Sequence, residues 1–239
     1  MKTRIIIPAR LKSTRFPNKL IKVFNGKSII EHVALRAKKL NYDSLLIATD
    51  SLKIKKIVEN IGIQVWFCDK EYSCGTERLS ALSKDLNFKK NDIIINIQGD
   101  EYNFPLIAVK NIINDLKVSR KEIVSTVINN TIDKKLINNK DSVKVVVDKQ
   151  GNALYFSRSI IPHGSTGSVA IHIGIYGYKA RLLDMYSSFL KSDFEKTESL
   201  EQLRFLYNKV PVHCIKINNH NSISINSIND LKSLKAGLK

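Results

Sequence analysis

Cysteine is scarce in this chain of 239 residues: Cys68, Cys74 and Cys214 are odd in number and far from any metal-ligand spacing. A disulfide framework is excluded, and reduced, unpaired thiols are expected. No uninterrupted apolar run approaches the ~18 residues of a membrane span. The N-terminus lacks the pattern of a signal peptide, so the cytoplasm is the expected compartment. The chain shows neither an internal repeat nor a low-complexity tract. Acidic residues are in short supply, 22 against 39 lysines and arginines, a net charge of +17. The lysines are scattered over nearly every segment, and no nucleic-acid module accompanies them, so no nucleic acid is expected as partner. Abundant Lys, Asn and Ile together point to an A/T-biased genome. Part of the charge is free to draw anionic ligands into a basic cleft.

What is present is enough apolar residue for a real core, 43% of the chain. The stretch Asp92–Glu101 organises the rest. Ile93 to Ile97 is a short apolar run of the kind buried on both faces of a parallel sheet. It stops at Gln98-Gly99-Asp100-Glu101, which puts an amide and two carboxylates at the C-terminal end of a strand, where open α/β sheets bind ligands. Asp100 is a hard oxygen ligand suited to Mg²⁺. An acidic turn after a core strand reads equally well from this stretch alone.

Arg4 to Ile7 reads as a first strand, running into a basic loop, Pro8 to Lys19, suited to a polyphosphate. Gly26-Lys27-Ser28 is no P-loop, because Ile21 stands where its first glycine belongs. Ser28 and Glu31 instead form a capping box before a helix with an apolar stripe at Ile29, Ile30, Val33, Ala34 and Ala37. Strands follow at Ser44–Thr49 and Val65–Phe67, with Asp50 as N-cap of the intervening helix. Helices are expected over Glu77–Leu86 and Pro105–Lys117. Strand alternating with helix four times predicts a doubly wound parallel sheet. Beyond Glu122 come a strand at Ile123–Ile128, a polar stretch at Thr131–Lys140, and a hairpin, Val143–Val147 with Ala153–Phe156. A linker at Ile160–Ala170 precedes a strand, His172–Tyr178, whose glycines require a close approach to the backbone. Helices near Ala180–Leu190 and Thr197–Tyr207, a strand at Val212–Ile217 and a helix at Ile228–Leu238 complete the expectation.

Several blocks, in this order, carry a resemblance over nearly the whole chain. They are Ile7-Pro8-Ala9-Arg10 with Ser13-Thr14-Arg15, Pro17 and Lys19; Ala48-Thr49-Asp50; Gly75-Thr76-Glu77-Arg78-Leu79; and Asn96 to Glu101. Val143 to Val146, Ala153 to Arg158 with Ile161-Pro162, His172 to Tyr178 and Leu200 to Arg204 follow. Together they resemble the CMP-Kdo synthetases, the 3-deoxy-manno-octulosonate cytidylyltransferases. The resemblance implies a single nucleotidyltransferase domain over 1–239, a Rossmann-like α/β sandwich, in which residues 122–178 contribute a small β-rich dimerisation arm to a homodimer. It implies transfer of a cytidylyl group from CTP to the eight-carbon sugar acid Kdo, with Mg²⁺, for lipopolysaccharide. By similarity Arg10, Lys19 and Asp100 are catalytic. Pro8, Ala9, Arg10, Ser13, Arg15, Lys19, Ala48, Ser73 and Gly75 bind the nucleotide. Gln98, Arg158, His172, Tyr178, Glu201 and Gln202 surround the sugar, with Arg158 offering a carboxylate its fork. Asp100 and the residue at 226 hold the metal.

The chain departs from the family pattern at ligand-facing positions. Asn226 replaces a second metal-binding aspartate, supplying an amide carbonyl without charge; Asp230 is read as a helix-start residue. Asn18 stands for a usual glycine, Leu20 and Tyr102 for prolines, and Ser73-Cys74 for Gln-Ser. Two alternatives stay open: an enzyme activating another acid sugar (an amino-Kdo or a nonulosonic acid), and a catalytically impaired nucleotide- or sugar-binding homologue.

Overall fold

A strand that is apolar at every position needs cover on both faces, and this fold supplies it. The computed structural model describes residues 1–12, 16–165, 167–218 and 224–235. Its first half runs β1 (Thr3–Ala9), a 3-10 turn (Lys19–Ile21), the two-residue strands β2 (Val23–Phe24) and β3 (Lys27–Ser28), α1 (Ile29–Ala37), β4 (Ser44–Thr49), α2 (Leu52–Glu59), β5 (Gln64–Phe67), α3 (Gly75–Asp85), β6 (Ile93–Ile97) and α4 (Leu106–Val118). The second half continues with β7 (Val124–Thr131), α5 (Lys134–Asn138), β8 (Lys144–Val147), β9 (Ala153–Ser157), β10 (Val169–Lys179), α6 (Ala180–Tyr186), α7 (Asp193–Glu198), α8 (Leu203–Tyr207), β11 (Val212–Ile217) and α9 (Ile228–Lys235).

Among the described residues the main sheet has the order β11-β7-β10-β6-β1-β4-β5, with the β8–β9 hairpin attached through β10. Neighbours are parallel except around β10, which runs antiparallel to both β6 and β7. Alternation along β1 and β6 sends Ile5, Ile7, Ile93, Ile95 and Ile97 to the face covered by α1, α2 and α4, and Ile6 and Ile94 to the face covered by α3, α6 and α8. Each of these isoleucines is fully buried; removing one to alanine costs about 2–5 kcal/mol. From β1 the chain winds one way to β4 and β5 and returns to the other side for β6. The C-terminal ends of β1 and β6 therefore flank a switch point, the crevice where such sheets bind ligands.

Several expectations hold residue by residue. Ser28 and Glu31 form the capping box, and the Asp148 hairpin turn closes through Asn152. The two glycines of β10 are required by sterics. A Cβ at Gly174 would lie 2.6 Å from Glu101 Oε1, and one at Gly177 2.2 Å from Ile112 Cγ2.

Others are corrected. Ser51, not Asp50, caps α2, accepting from the Ile54 amide, while Asp50 pairs with Arg78 at 2.6 Å. The single helix expected over Thr197–Tyr207 is two short ones, because Ser199 takes a left-handed conformation (φ 53°) that ends α7. The polar stretch Thr131–Lys140 contains α5, capped by Asp133. The linker expected over Ile160–Ala170 ends earlier, at Val169, where β10 begins. Within residues 122–178, β7 and β10 are strands of the main sheet, and the β8–β9 hairpin stands off its path. Helix α6 ends at Tyr186. Residues 236–239, where the last helix was expected to run on, lie outside the described residues.

Candidate active site

Two adjoining cavities open at the switch point. The larger, about 450 Å³, is lined by Pro8, Ala9 and Arg10 from the end of β1, by Tyr72 to Gly75 and Arg78 at the start of α3, and by Lys191, Glu195 and Lys196 around α7. The smaller, about 230 Å³, is lined by Asp100, Glu101, Asp141, Arg158, His172, Tyr176, Gln202, Ser224 and Asn226, among others. Gln98, Ser199, Leu200 and Glu201 border both. Gln98 Nε2 donates to Glu201 Oε1 at 3.4 Å, and Glu201 Oε2 accepts the Thr76 amide at 3.0 Å. This carboxylate thus fastens the shared wall to the first turn of α3.

The break at Ser199 is what delivers that wall. A bidentate pair, Arg204 on Glu195, ties α8 to α7, and Arg204 Nη1 reaches Glu77 Oε1 on α3 at 3.0 Å. Burial opposes ionisation of Glu77. Hydrogen bonds from Ser73, Arg204 and Lys191 outweigh it and hold the carboxyl down at about 2. With both helices braced against α3, residues 199–202 cross the mouth of β6. Four cations, Arg10, Arg78, Lys191 and Lys196, face the larger cavity against Glu195 and Glu201, a balance that favours a polyanion.

At the tip of β6, Asp100 forms an ion pair with Lys19. Its carbonyl accepts the Ile225 amide at 3.0 Å, and Glu101 bridges Ser224 in antiparallel pairing. That pairing carries Asn226 to the cavity that Asp100 lines. One carboxylate and one amide carbonyl are hard oxygen donors, and Mg²⁺ is commonly held by one or two carboxylates with waters and substrate phosphates making up the rest. The donor set therefore fits that ion in an open site. Among the described residues no group of three His, Cys, Asp or Glu forms a closed metal cage. The Asp230 carboxylate accepts from the backbone of Asn226 and Ser227, the helix-start role expected of it.

In the smaller cavity the Thr126 hydroxyl donates to the Ile175 carbonyl at 2.6 Å, so its oxygen accepts from His172 Nε2 at 2.9 Å. The ring is thereby fixed with Nε2 protonated and Nδ1 as acceptor. Burial pushes the imidazole down to about 3, which keeps it neutral. Arg158 Nε donates to the Glu198 carbonyl at 2.8 Å and Nη1 to the Lys140 carbonyl at 3.2 Å, with Asp141 3.9 Å from the guanidinium. Gln202 is buried, and its Nε2 has no partner among the described residues.

Of the residues expected from sequence, Pro8, Ala9, Arg10, Ser73 and Gly75 meet in the larger cavity, and Asp100, Arg158, His172, Gln202 and Asn226 in the smaller. Gln98 and Glu201 stand between them, and Lys19 reaches the site through Asp100. Two do not join. Ala48 is fully buried within β4 and borders neither cavity. Tyr178 is also fully buried, its hydroxyl without a hydrogen-bond partner among the described residues, and Tyr176 two residues earlier is the tyrosine that faces the cavity. Ser13 and Arg15 lie outside the described residues. Sequence reasoning also missed Arg78, which pairs with Asp50 and lines the larger cavity, and Asp141, Lys191 and Lys196, which carry no local signal in so lysine-rich a chain.

A doubly wound sheet with a cationic crevice at β1, a carboxylate at the tip of β6 and a second cavity behind it defines a nucleotidyltransferase. The cytidylyltransferase family model matches residues 4–217. A 3-deoxy-manno-octulosonate cytidylyltransferase of Francisella tularensis subsp. novicida is 39% identical over 243 aligned residues, covering 97% of this chain and 96% of that one. Its counterpart in Fusobacterium nucleatum is 38% identical over 98% and 96%. A solved CMP:2-keto-3-deoxy-manno-octonic acid synthetase complexed with CTP superposes with a TM-score of 0.89 at 29% identity, covering 100% of this chain and 98% of that one. The chain belongs to the 3-deoxy-manno-octulosonate cytidylyltransferase family.

Proposed function

We propose that this enzyme activates Kdo with CTP. The anomeric hydroxyl of the sugar acid attacks the α-phosphate, the bond to the β-phosphate breaks, and CMP-Kdo and pyrophosphate leave. The carrying observation is the pair of cavities sharing the Gln98–Glu201 wall, which would hold two substrates side by side beneath Asp100. Phosphoryl-type transfer asks a protein for alignment and charge neutralisation more than for covalent chemistry.

In this reading Arg10 and Lys19 bind the triphosphate with Ser13 and Arg15 of the same loop, and Pro8, Ala9, Ser73 and Gly75 face the base. Arg158 takes the sugar's carboxylate. Gln98, His172, Glu201, Gln202 and Tyr176 meet its hydroxyls, His172 accepting at Nδ1. Asp100 and Asn226 would hold Mg²⁺, which supplies charge neutralisation on the transferred phosphate. Lys19 is released from Asp100 to the phosphates as the nucleotide enters. The reading extends to a cytoplasmic homodimer serving lipopolysaccharide synthesis. No helix of the described residues is long and apolar enough to cross a membrane.

A second reading keeps the chemistry and changes the sugar. Asp141 places a carboxylate on the sugar cavity beside Arg158, which suits an acid sugar that also carries an amino group. Incubation with CTP, Mg²⁺ and a panel of acid sugars, followed by mass spectrometry, decides. CMP-Kdo as the main product supports the first reading, and a preference for the amino sugar supports the second. Absence of any CMP-sugar, with CTP still bound, would mean a silent homologue.

A further inference from the structure

The carboxylate end of the sugar cavity rests on an ammonium that does not line it. Lys144, the first residue of β8, is 1% exposed. Its Nζ donates to the carbonyls of Asn139 at 2.7 Å, Ser142 at 2.7 Å and Arg158 at 2.9 Å. An ammonium has three hydrogens, and all three are used. Glu198 completes the arrangement from the other side. Its carboxylate accepts the Arg158 amide at 2.8 Å and the Ser157 hydroxyl at 2.6 Å, and its carbonyl accepts Arg158 Nε. The backbone of Arg158 is therefore held at its nitrogen by a carboxylate and at its carbonyl by an ammonium. Asn139 and Ser142 flank Lys140 and Asp141, so the same lysine also fixes the loop whose Lys140 carbonyl receives Arg158 Nη1.

A buried lysine serving packing alone is replaceable by methionine, which fills similar space. Here methionine would take away the one donor that ties together the carbonyls of Asn139, Ser142 and Arg158. The strands of β8 and β9 would remain paired through their own backbone. What loosens is the end of β9 that aims the guanidinium.

We infer that Lys144 is a positioning residue for recognition of the sugar's acid group: held by the carbonyls of Asn139, Ser142 and Arg158, it sets where the Arg158 guanidinium stands without touching the ligand. The inference rests on the assignment of Arg158 to the sugar carboxylate. A merely structural lysine would move both substrates alike, whereas this one acts through a single side chain.

The test is a double-mutant cycle on the full chain with CTP, Mg²⁺ and Kdo. Lys144→Met should raise the KM for Kdo at least tenfold and leave the KM for CTP within twofold. Added to Arg158→Ala, it should change the Kdo KM by less than twofold, because no guanidinium remains to misplace. A folded Lys144→Met protein with unchanged Kdo KM overturns the inference, and so does a tenfold effect that persists in the Arg158→Ala background. If Lys144→Met fails to bind CTP in calorimetry, Lys144→Gln, which keeps two donors, enters the same cycle. Loss of CTP binding there too makes Lys144 a lock of the whole fold and overturns the specific role. The unsubstituted chain is the control for the substrate: if it uses another acid sugar in place of Kdo, the Kdo reading fails and the cycle is run with that sugar. Inactivity with every acid sugar overturns both.

Discussion

Replacing Asp100 by asparagine separates the two jobs that this carboxylate holds. In the ligand-free protein its partner is Lys19, and the two side chains are only 23% and 12% exposed. A unit-charge pair about 4 Å apart at an effective dielectric of 20 is worth about 4 kcal/mol. If Asp100 exerts an attraction of that order on the Mg²⁺ it would hold against the transferred phosphate, its loss would lower kcat/KM by about 10³-fold, at 1.36 kcal/mol per decade. Binding of CTP in EDTA should move the other way or not at all, since Asp100→Asn removes the carboxylate that occupies Lys19 and frees the ammonium for phosphate. Pyrophosphate release measures the first quantity and calorimetry the second. A kcat/KM within tenfold of the parent at saturating Mg²⁺ refutes the metal role. Loss of CTP binding in EDTA as large as the loss of rate refutes the competition for Lys19.

Asn226→Asp should raise turnover or apparent Mg²⁺ affinity about tenfold without changing CTP affinity, as read from Mg²⁺ titrations of initial rate; no change in either would detach this position from the metal. The Asp115 carboxylate accepts from His213 Nδ1 at 2.9 Å and from the Ser125 hydroxyl at 2.6 Å, tying α4 to β11 and β7. The hydrogen bond to Asp115 raises the His213 pKa against the opposing effect of its burial. A raised folded-state pKa gives stability that is full below the unfolded value near 6.5 and is lost as pH rises through the folded value. The parent should therefore lose stability over that rise, and His213→Gln should flatten the loss in urea melts at pH 5.5 and 8.5. Gly177→Ala drives a methyl into Ile112 and Leu116 and should cost about 1–3 kcal/mol in the same assay.

The apolar runs were the most legible part of the chain. Ile93–Ile97 and Ser44–Thr49 fall on strands with those bounds, because a run buried on both faces needs no partner to declare itself; Val212–Ile217 keeps its bounds as well, as a half-buried strand at the sheet edge. Motif positions followed, since Pro8 to Arg10 and Gln98 to Glu101 end strands that the topology sets side by side. The choice between two tyrosines on one strand was not legible. Tyr176 and Tyr178 share a face, and a register shift between Ile173 and Tyr176 separates the strand's cavity end from its core end. Tyr176 stands opposite Asn96 near the tip of β6, next to the His172 ring at 5.1 Å, whereas Tyr178 stands opposite Ile94, deeper in the sheet. The break at Ser199 was equally hidden, because serine does not advertise a left-handed conformation as glycine does. Asp141 reaches the cavity on a loop whose Asn139 and Ser142 carbonyls accept from Lys144, an arrangement that neither apolar periodicity nor a motif marks.

The departures from the family pattern differ in kind once their surroundings are considered. Asn18 occupies a left-handed turn (φ 57°), a conformation asparagine tolerates better than most residues, so it answers the same backbone demand as the usual glycine. Leu20 is buried, and its Cδ1 lies 3.2 Å from where a Gly99 Cβ would be. Tyr102 stacks edge-on against Phe24 and His32, with centroids 5.0 and 5.3 Å away. These three changes are absorbed as turn geometry and packing at and beneath the loop that follows β1. Ser73 is engaged by Lys191 at 2.8 Å, a polar contact at the edge of the larger cavity. Asn226 differs in kind: an amide in place of a carboxylate lowers the negative charge offered in the cavity that Asp100 lines. Arg158, meanwhile, keeps its braces from Glu198 and Lys144, and His172 its fixed tautomer. Drift in this enzyme should therefore appear as altered metal demand and rate before it appears as altered choice of sugar.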